Sequence, residues 1–431
     1  MRDALGALRR RPGRTALTSL GIGLAVGVVV LLLAISAGVQ TSATELATSS
    51  GVDLIAASAN TTITTGSAPP VLHAHGLVAQ IPAADPNVAV ASPWLVSDVV
   101  FGNASLWAAA NGSSIPSGWS PTGAGSVGWI PSDNSGIETP TIYQGTGFTE
   151  PGDPHYANGS YAGPFTHEIV LDQGLATVLG VGVGDLLWVG ASTPANGTAL
   201  TGWYANATAF RVVGVSGPFW LIPSALLAFF YLSELQSVVG GASASTDYAS
   251  LVLIHLTDPT TAAADQTRLE TAFPALTVFT LADVLGAIQQ VVNVYRTFGE
   301  IIGIIGIVVA ALFATTVLQM SVDDRSREFA LLRAIGYSRL RVGVSVAEEG
   351  LLLAGIGLAI GLPIAWAGAW ELNRFLLGLL AGLPSSFSFV AFQLPVILTG
   401  VAVVVAIGLF ASFLPAVRAM GLPVAEELRA P

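Results

Sequence analysis

Residues 321–349 read SVDDRSREFALLRAIGYSRLRVGVSVAEE, a polar stretch set between two apolar ones. The run before it, 301–320, and the run after it, 350–370, carry no charge. Each has about the 20 residues that a helix needs to cross a bilayer. The connecting segment holds five Arg, which marks it as cytoplasmic by the positive-inside rule. Its spacing suits a docking helix. Asp323 and Arg327 stand i,i+4 and Arg325 and Glu328 i,i+3, so opposite charges are expected to meet on one face. Phe329, Leu332 and Ile335 are expected to form an apolar stripe beside them. Gly336 suits a C-terminal cap and Ser338 the start of the next helix. Periodicity alone leaves a plainer alternative open, a charged loop that keeps two membrane helices apart.

The run RSREFALLRAIGYSRLRV resembles the cytoplasmic signature of the MacB/FtsX-type ABC permeases. Arg325, Arg327, Glu328, Leu331, Leu332, Arg333, Ala334, Gly336, Ser338 and Arg341 carry the match. Phe329 and Tyr337 stand where the family usually has Ile and Ala, and both are larger. The resemblance implies a separate ATP-binding subunit that docks on Arg325, Arg327, Glu328, Phe329, Leu332, Arg333, Ile335, Gly336 and Arg341. It also implies four membrane helices with one large mixed α/β extracytoplasmic domain between the first and second.

Composition agrees with a membrane chain. Of 431 residues, 52% are hydrophobic and 10% charged, and the mean hydropathy is +0.69. There is no Cys, which excludes disulfides and thiolate chemistry. There is no Lys either, so this sequence holds no Walker A loop and no Schiff-base lysine. The net charge of −11 is uneven: residues 41–300 carry eighteen Asp/Glu against Arg211, Arg268 and Arg296. An acidic middle argues for sidedness and against nucleic acid as a partner.

Outward from the central stretch, residues 1–15 hold Arg9, Arg10, Arg11 and Arg14 and are read as a cytoplasmic N-terminus. The first membrane helix is expected over 16–40, as a retained helix rather than a cleaved signal peptide, because its apolar part outruns the usual signal length. Arg14, Thr15, Leu17, Thr18, Leu20 and Gly21 resemble the family's entry into that helix. Residues 41–280 form the external domain, with all five His and six Asn-x-Ser/Thr sequons at Asn60, Asn103, Asn111, Asn158, Asn196 and Asn206. Such sequons permit glycosylation in a suitable host. Stretches 60–70 and 111–131, rich in Gly, Ser, Thr and Pro, are read as exposed loops. Strands are expected at 52–56, 169–171, 186–189, 210–215 and 276–279, and helices at 173–179 and 261–273. Leu179, Gly180, Val181, Gly184, Asp185, Val212, Val213 and Gly214 resemble the MacB-type periplasmic core pattern. The uncharged run 212–233 is too broken by Gly and Pro to span, and is read as strand, turn and buried helix.

Thr280 and Asp283 form an N-terminal capping pattern. Leu281, Leu285, Ile288, Val292, Tyr295 and Phe298 then recur at helical spacing, so 281–300 is read as a stalk rising into a second span at 301–320. The third span is placed at 350–370, a short external loop with re-entrant or interfacial character at 371–393, and the fourth span at 394–415. The cytoplasmic tail 416–431 resembles the family's ending at Pro415, Ala416, Arg418, Ala419, Pro423, Leu428 and Arg429.

Chemistry of other kinds finds little support. His73 and His75 with His155 or His167 lack a clear ligand set, and neither a metal nor a cofactor is expected. Glu150, Asp153, Glu168 and Asp172 are read as solvated loop charges. No GxSxG or HExxH is present, so hydrolase readings lack support, and the chain itself is not expected to be an enzyme, with ATPase activity expected only in the partner subunit. The spans lack charges away from their ends, which argues against an ion-coupled carrier. Gly23/Gly27, Gly299/Gly303 and Gly357/Gly361 have the spacing of close helix packing and are read as compatible with a homodimer. The expected partners are therefore the ATP-binding subunit, a second copy, membrane lipids and an extracytoplasmic partner or cargo. A non-transporting subunit that switches an external partner is the alternative function.

Overall fold

The computed structural model describes residues 12–59, 61, 69–103, 122–157, 159–191, 207–217, 219, 226–240, 247–379 and 387–423. In chain order these give α1 (Pro12–Ser49), β1 (Leu54–Ser58), β2 (Val71–Leu72), α2 (Ala74–Ala84), β3 (Val88–Asn103) and β4 (Thr122–Trp129). There follow β5 (Ile142–Gly145), β6 (Tyr156–Ala157), β7 (Ser160–Tyr161), β8 (Glu168–Asp172), α3 (Gln173–Leu179), β9 (Leu186–Ala191), β10 (Thr208–Ser216) and β11 (Leu227–Tyr231). Then come α4 (Leu232–Val239), β12 (Tyr248–Ala249), β13 (Leu251–Leu256), α5 (Ala262–Ala272) and β14 (Leu276–Thr280). Four helices complete the chain: α6 (Leu281–Asp324), α7 (Ser326–Ala334), α8 (Arg339–Leu379) and α9 (Leu394–Gly421). The chain divides into a helical unit (residues 1–42, 289–376 and 388–431) and a β-rich unit (residues 43–288 and 377–387).

In the β-rich unit, β1, α2, β3, β13, α5 and β14 form one layer pair. Their strands lie in the order β14-β1-β13-β3, all neighbours antiparallel, which is the split βαβ arrangement of a ferredoxin-like fold. Leu54, Ala56, Ile254 and Val278 from the sheet bury with Val78 and Ile81 of α2 and Leu269 of α5. The sixteen-residue strand β3 continues past this sheet, and there it pairs β4 on one side and β9 on the other. The pairings β3-β4-β11-β8-β10-β9-β3 close on themselves. Closure removes free strand edges from the ring. Phe101, Leu171, Val189, Phe210 and Phe230 fill its core together with Leu232 and Leu235 of α4.

Two stretches differ from the sequence-based reading. Residues 122–129, expected in a loop, form β4, which runs parallel to β11 and is buried from Ser126 onward. The small residues that suggested a loop have a packing role. A Cβ on Gly128 would lie 3.0 Å from Leu235 Cβ and 3.2 Å from Leu232 Cα, so α4 needs the space. Residues 227–231, expected as buried helix, form β11, with all five residues buried. A short continuous apolar run suits a central strand as well as a helix segment, and pairing on both sides decides between them. The helix starts one residue later, at Leu232.

The membrane-class reading holds: among the described residues four helices are long and apolar enough to cross a bilayer, Thr15–Leu46, Arg296–Asp324, Arg339–Leu377 and Leu394–Gly421. They are longer than the 16–40, 301–320, 350–370 and 394–415 assigned from apolar runs, because helix continues into flanking polar residues. α1 runs on through 41–49, and α8 takes 371–379 out of the expected external loop. α6 is one helix from Leu281 to Asp324, and its start is capped reciprocally. Thr280 N–H donates to Asp283 Oδ2 at 2.8 Å, and Asp283 N–H donates to Thr280 Oγ1 at 3.1 Å.

Within the helical unit, Ile22, Val26, Val30 and Ala34 make one face of α1 and pack with Ala310, Ala314 and Leu318 of α6, Leu353 and Ala354 of α8, and Val404 and Ile407 of α9. Here the small-residue spacing receives an intrachain use. A Cβ added at Gly361 would lie 2.5 Å from the Gly23 carbonyl oxygen, and one at Gly23 2.8 Å from that of Gly357. Gly27 approaches the Gly361 carbonyl in the same way, and Gly303 packs against Val29. Four glycines read as dimer contacts, Gly23, Gly27, Gly357 and Gly361, are thus buried between α1 and α8 of one chain. Gly303 also faces α1, and the surroundings of Gly299 lie outside the described residues.

Gly361→Ala should lower thermal stability in detergent by about 1–3 kcal/mol, since backbone must move to admit the methyl. Gly355→Ala, at a position with nothing within 4 Å, should be neutral or raise it by about 0.5–1 kcal/mol. Equal effects at the two sites would show that α1 and α8 do not cross this closely.

Candidate coupling site

The break between α6 and α7 falls at Arg325, whose backbone leaves the helical region at φ −116°, ψ 13°. The break decides the charge pairing. Asp323 and Arg327 no longer share one continuous helix, so their expected i,i+4 pair does not form, and Asp323 pairs with Arg418 of α9 at 3.1 Å instead. Arg325 does meet Glu328, at 3.0 Å, and also reaches Glu349 of α8 at 3.2 Å. Glu349 is buried and takes a second hydrogen bond from Ser321 Oγ at 2.9 Å. A bridged, largely enclosed guanidinium therefore ties the end of α6 to the start of α8.

α7 ends at Gly336, whose φ of 103° few side chains tolerate. Tyr337 N–H donates to the Leu332 carbonyl and Gly336 N–H to the Arg333 carbonyl, the paired bonds of a Schellman cap. Ser338 then starts α8, its Oγ accepting from Arg341 N–H at 3.3 Å.

The faces of α7 are not those the stripe Phe329–Leu332–Ile335 suggested. Steps of three residues drift backwards by about 60° each on a helix with 3.6 residues per turn. Phe329 thus turns inward and is buried with Val322, Val342, Val346 and Ala419, Leu332 is half-buried against that cluster, and Ile335 is 74% exposed. Arg333 turns inward too, donating to the Leu422 carbonyl, with the Met420 carbonyl at 3.5 Å. The Arg325 guanidinium lies 5.0 Å from the Phe329 ring centre and that of Arg341 5.4 Å from Tyr337. Facing outward are Arg327, Glu328, Leu331 and Ile335, with Leu340 beyond the turn, 70% exposed. Leu331 and Leu340 were missed as site residues, although the i,i+4 relation of Leu331 to both Arg327 and Ile335 was legible. Glu349 was missed because its partner is 24 residues away.

The β-rich unit holds a second polar cluster. His75 and Tyr156 stack at 3.7 Å between ring centres. The buried imidazole lies between two aspartates, with Nδ1 2.9 Å from Asp247 Oδ1 and Nε2 3.5 Å from Asp153 Oδ2. Asp153 also accepts from Ser233 N–H at 2.8 Å and Ser233 Oγ at 2.5 Å, and Asp247 from the Tyr161 hydroxyl at 2.8 Å. Asp153 is therefore a buried ion-pair partner, and Asp172 caps α3, rather than solvated loop charges. Glu168 accepts from Thr149. His155 stacks on Phe165 instead of joining His75. Among the described residues no group of three or more His, Asp or Glu is arranged to hold a metal ion. Of the six sequons, Asn60, Asn111, Asn158, Asn196 and Asn206 lie outside the described residues, and Asn103 closes β3.

Burial opposes charge on His75, but hydrogen bonds and charge from Asp153 and Asp247 outweigh it and raise its pKa above the ordinary 6.5. Burial likewise opposes charge on Asp153 and Asp247, and their bonds to His75, with Ser233 and Tyr161, carry both below the ordinary 3.8.

Comparison with known proteins follows the same division. The family described as MacB-like periplasmic core domain matches residues 15–272, and the FtsX-like permease C-terminal family matches residues 300–424. A curated relative is the uncharacterized ABC transporter permease YknZ of Bacillus subtilis (strain 168), 28% identical over 153 residues. That match covers 35% of this chain and 36% of YknZ, so it spans about a third of the relative's length. Among solved structures, the periplasmic region of MacB from Actinobacillus actinomycetemcomitans is 13% identical, covering 56% of this chain and 94% of that one at a TM-score of 0.37. The extracellular domain of YknZ from Gram-positive bacteria is 12% identical, covering 53% and 99% at a TM-score of 0.34. At these scores neither bears on the assignment, which rests on the family matches.

The pKa directions fix a pH window. A raised His75 stabilises fully below its unfolded value near 6.5, and that contribution is lost as pH rises through the raised value. The lowered Asp153 and Asp247 stabilise above about 3.9, and theirs is lost as pH falls through their lowered values. The unfolding midpoint of the full chain, followed by tryptophan fluorescence, should therefore fall as pH rises from about 6.5 through the raised value. His75→Gln should cost about 3–5 kcal/mol at neutral pH and flatten that alkaline fall. An unchanged alkaline slope in H75Q would place the titration elsewhere.

Proposed function

The chain belongs to the MacB/FtsX-type ABC transporter permeases, and from that premise we propose that it couples ATP hydrolysis by a separate ABC subunit to movement of its β-rich domain. Residues 1–15, 321–349 and 416–431 lie on the cytoplasmic side and residues 41–300 outside. The Arg-rich segments support that orientation by the positive-inside rule. The ATPase activity belongs to the partner, since this sequence has no Lys with which to build a Walker A loop. The chain works as a homodimer in lipid, and the external domain engages the cargo or an extracytoplasmic partner.

One observation carries the reading: α7 leaves Leu331 and Ile335 exposed in line with Arg327 and beside Glu328, while its other face is anchored by Phe329 and Arg333. An exposed apolar pair with both signs of charge at one end suits a protein partner. Pushing on α7 would load the Arg325–Glu349 tie and the Arg333 contact with the end of α9, so a displacement of the docked subunit would reach α6, α8 and α9 together. Motion is then passed along helices, and no central pore is required.

Affinity purification from native membranes should bring down a P-loop ATPase. Leu331→Asp with Ile335→Asp should weaken that association by about tenfold or more without altering the unfolding midpoint, and Glu328→Arg should weaken it too while lowering the midpoint, since it sets a second cation against Arg325. Phe329→Ala should instead lower the midpoint, at a cost of about 3–5 kcal/mol, because it empties a core site. Full retention of the ATPase by the L331D/I335D variant would overturn the docking face.

A further inference from the structure

A cavity of about 470 Å³ opens in the β-rich unit beside His75, away from every residue of the coupling site. Val78 and Pro82 of α2 give it an apolar wall, and Asp133, Asp153, Tyr156 and His75 gather at its polar end. The charges there do not balance. His75 is a single cation shared by Asp153 and Asp247, and Asp153 is further satisfied by two donors from Ser233. Asp133 is different. It is partly buried, accepts from the Ser132 hydroxyl at 2.9 Å, and has no ion pair with any cation among the described residues. No Arg lines the cavity, and the chain has no Lys to reach in. Burial raises the Asp133 pKa and outweighs the Ser132 hydrogen bond and the nearby His75 charge, which oppose it.

This pattern selects a ligand class. An anion would meet two carboxylates at the polar end. A neutral apolar molecule would fill the wall but take more water from Asp133 without supplying it an ion-pair partner, which is costly. A positive head on a short apolar body satisfies both. We propose that the cavity binds a small organic cation, a protonated amine whose ammonium donates to the Asp133 carboxylate and whose apolar part lies on Val78 and Pro82. The surrounding unit favours the same sign, since residues 41–300 carry eighteen acidic side chains against three Arg. The site stands on the geometry of this unit alone and is independent of the docking reading.

Isothermal titration of the full chain in nanodiscs with n-butylammonium chloride tests it, with n-butanol as the uncharged control. Saturable binding of butylammonium at one site per chain, and at least about tenfold weaker binding of butanol, is expected from loss of a charge-assisted contact. Asp133→Asn keeps an acceptor for Ser132 and should weaken butylammonium to the level of butanol. Ala79→Trp, at an exposed position on the cavity wall, should block both ligands without lowering the unfolding midpoint. No saturable butylammonium binding, equal affinity for the two probes, or unchanged binding by D133N would each overturn the proposal.

Discussion

Helices in hydrocarbon are not driven together by the hydrophobic effect, because lipid tails are as apolar as the side chains they would leave. The helical unit depends instead on backbone contact, and its helices approach closely where Gly23 and Gly27 of α1 meet Gly357 and Gly361 of α8. Around that crossing much of the remaining core is made by small or β-branched residues: Val26, Val30 and Ala34 of α1, Ala310 and Ala314 of α6, and Ala411 of α9. Larger side chains such as Ile301, Ile305, Leu312 and Phe410 are left on the outer faces, more than half exposed, where lipid or a second copy would cover them. Size sorting of this kind lets a few glycines position four helices.

The same economy governs the polar end of the unit. Arg325 is held by Glu328 and Glu349, and Arg333 by carbonyls at the end of α9, so the two most anchored cations of the segment serve the fold. A recurring charged motif therefore mixes two kinds of residue. Some, like Phe329 and Arg333, fix α7 in place; others, like Arg327, Leu331 and Ile335, are what a fixed α7 presents. For the proposed docking, presentation serves only if the anchoring holds. A docking helix free to rotate would absorb a push instead of passing it on.

In the β-rich unit the costly element is buried charge. Asp153, His75 and Asp247 come from three separate places in the chain, and each alone would be strongly penalised by burial. Together with Ser233 and Tyr161 they link α2, the β6–β7 hairpin, α4 and the segment entering β12. Such a knot fixes how those elements meet, and it leaves Asp133 at the adjoining cavity as the carboxylate with the least compensation.

Much of the local chemistry was legible in the sequence, except at α7, where the helix break parted Asp323 from Arg327 and the Phe329–Leu332–Ile335 stripe drifted off one face. The four apolar runs, the capping pair Thr280 and Asp283, the α3 boundaries, the Gly336 and Ser338 caps and the Arg325–Glu328 pair all follow from residues within a turn of each other. So does the family resemblance, which is carried by contiguous motifs. Only the tertiary structure decided the rest, because the deciding partner lies far along the chain. Gly128 reads as loop until Leu232 and Leu235 need its missing side chain, and residues 227–231 read as helix until β4 and β8 flank them. The glycine pairs read as a dimer face until α8 occupies it, and Phe329 as a docking residue until Val342, Val346 and Ala419 enclose it. A sequence states which groups must be buried or paired; which distant neighbour does the burying depends on where the chain returns.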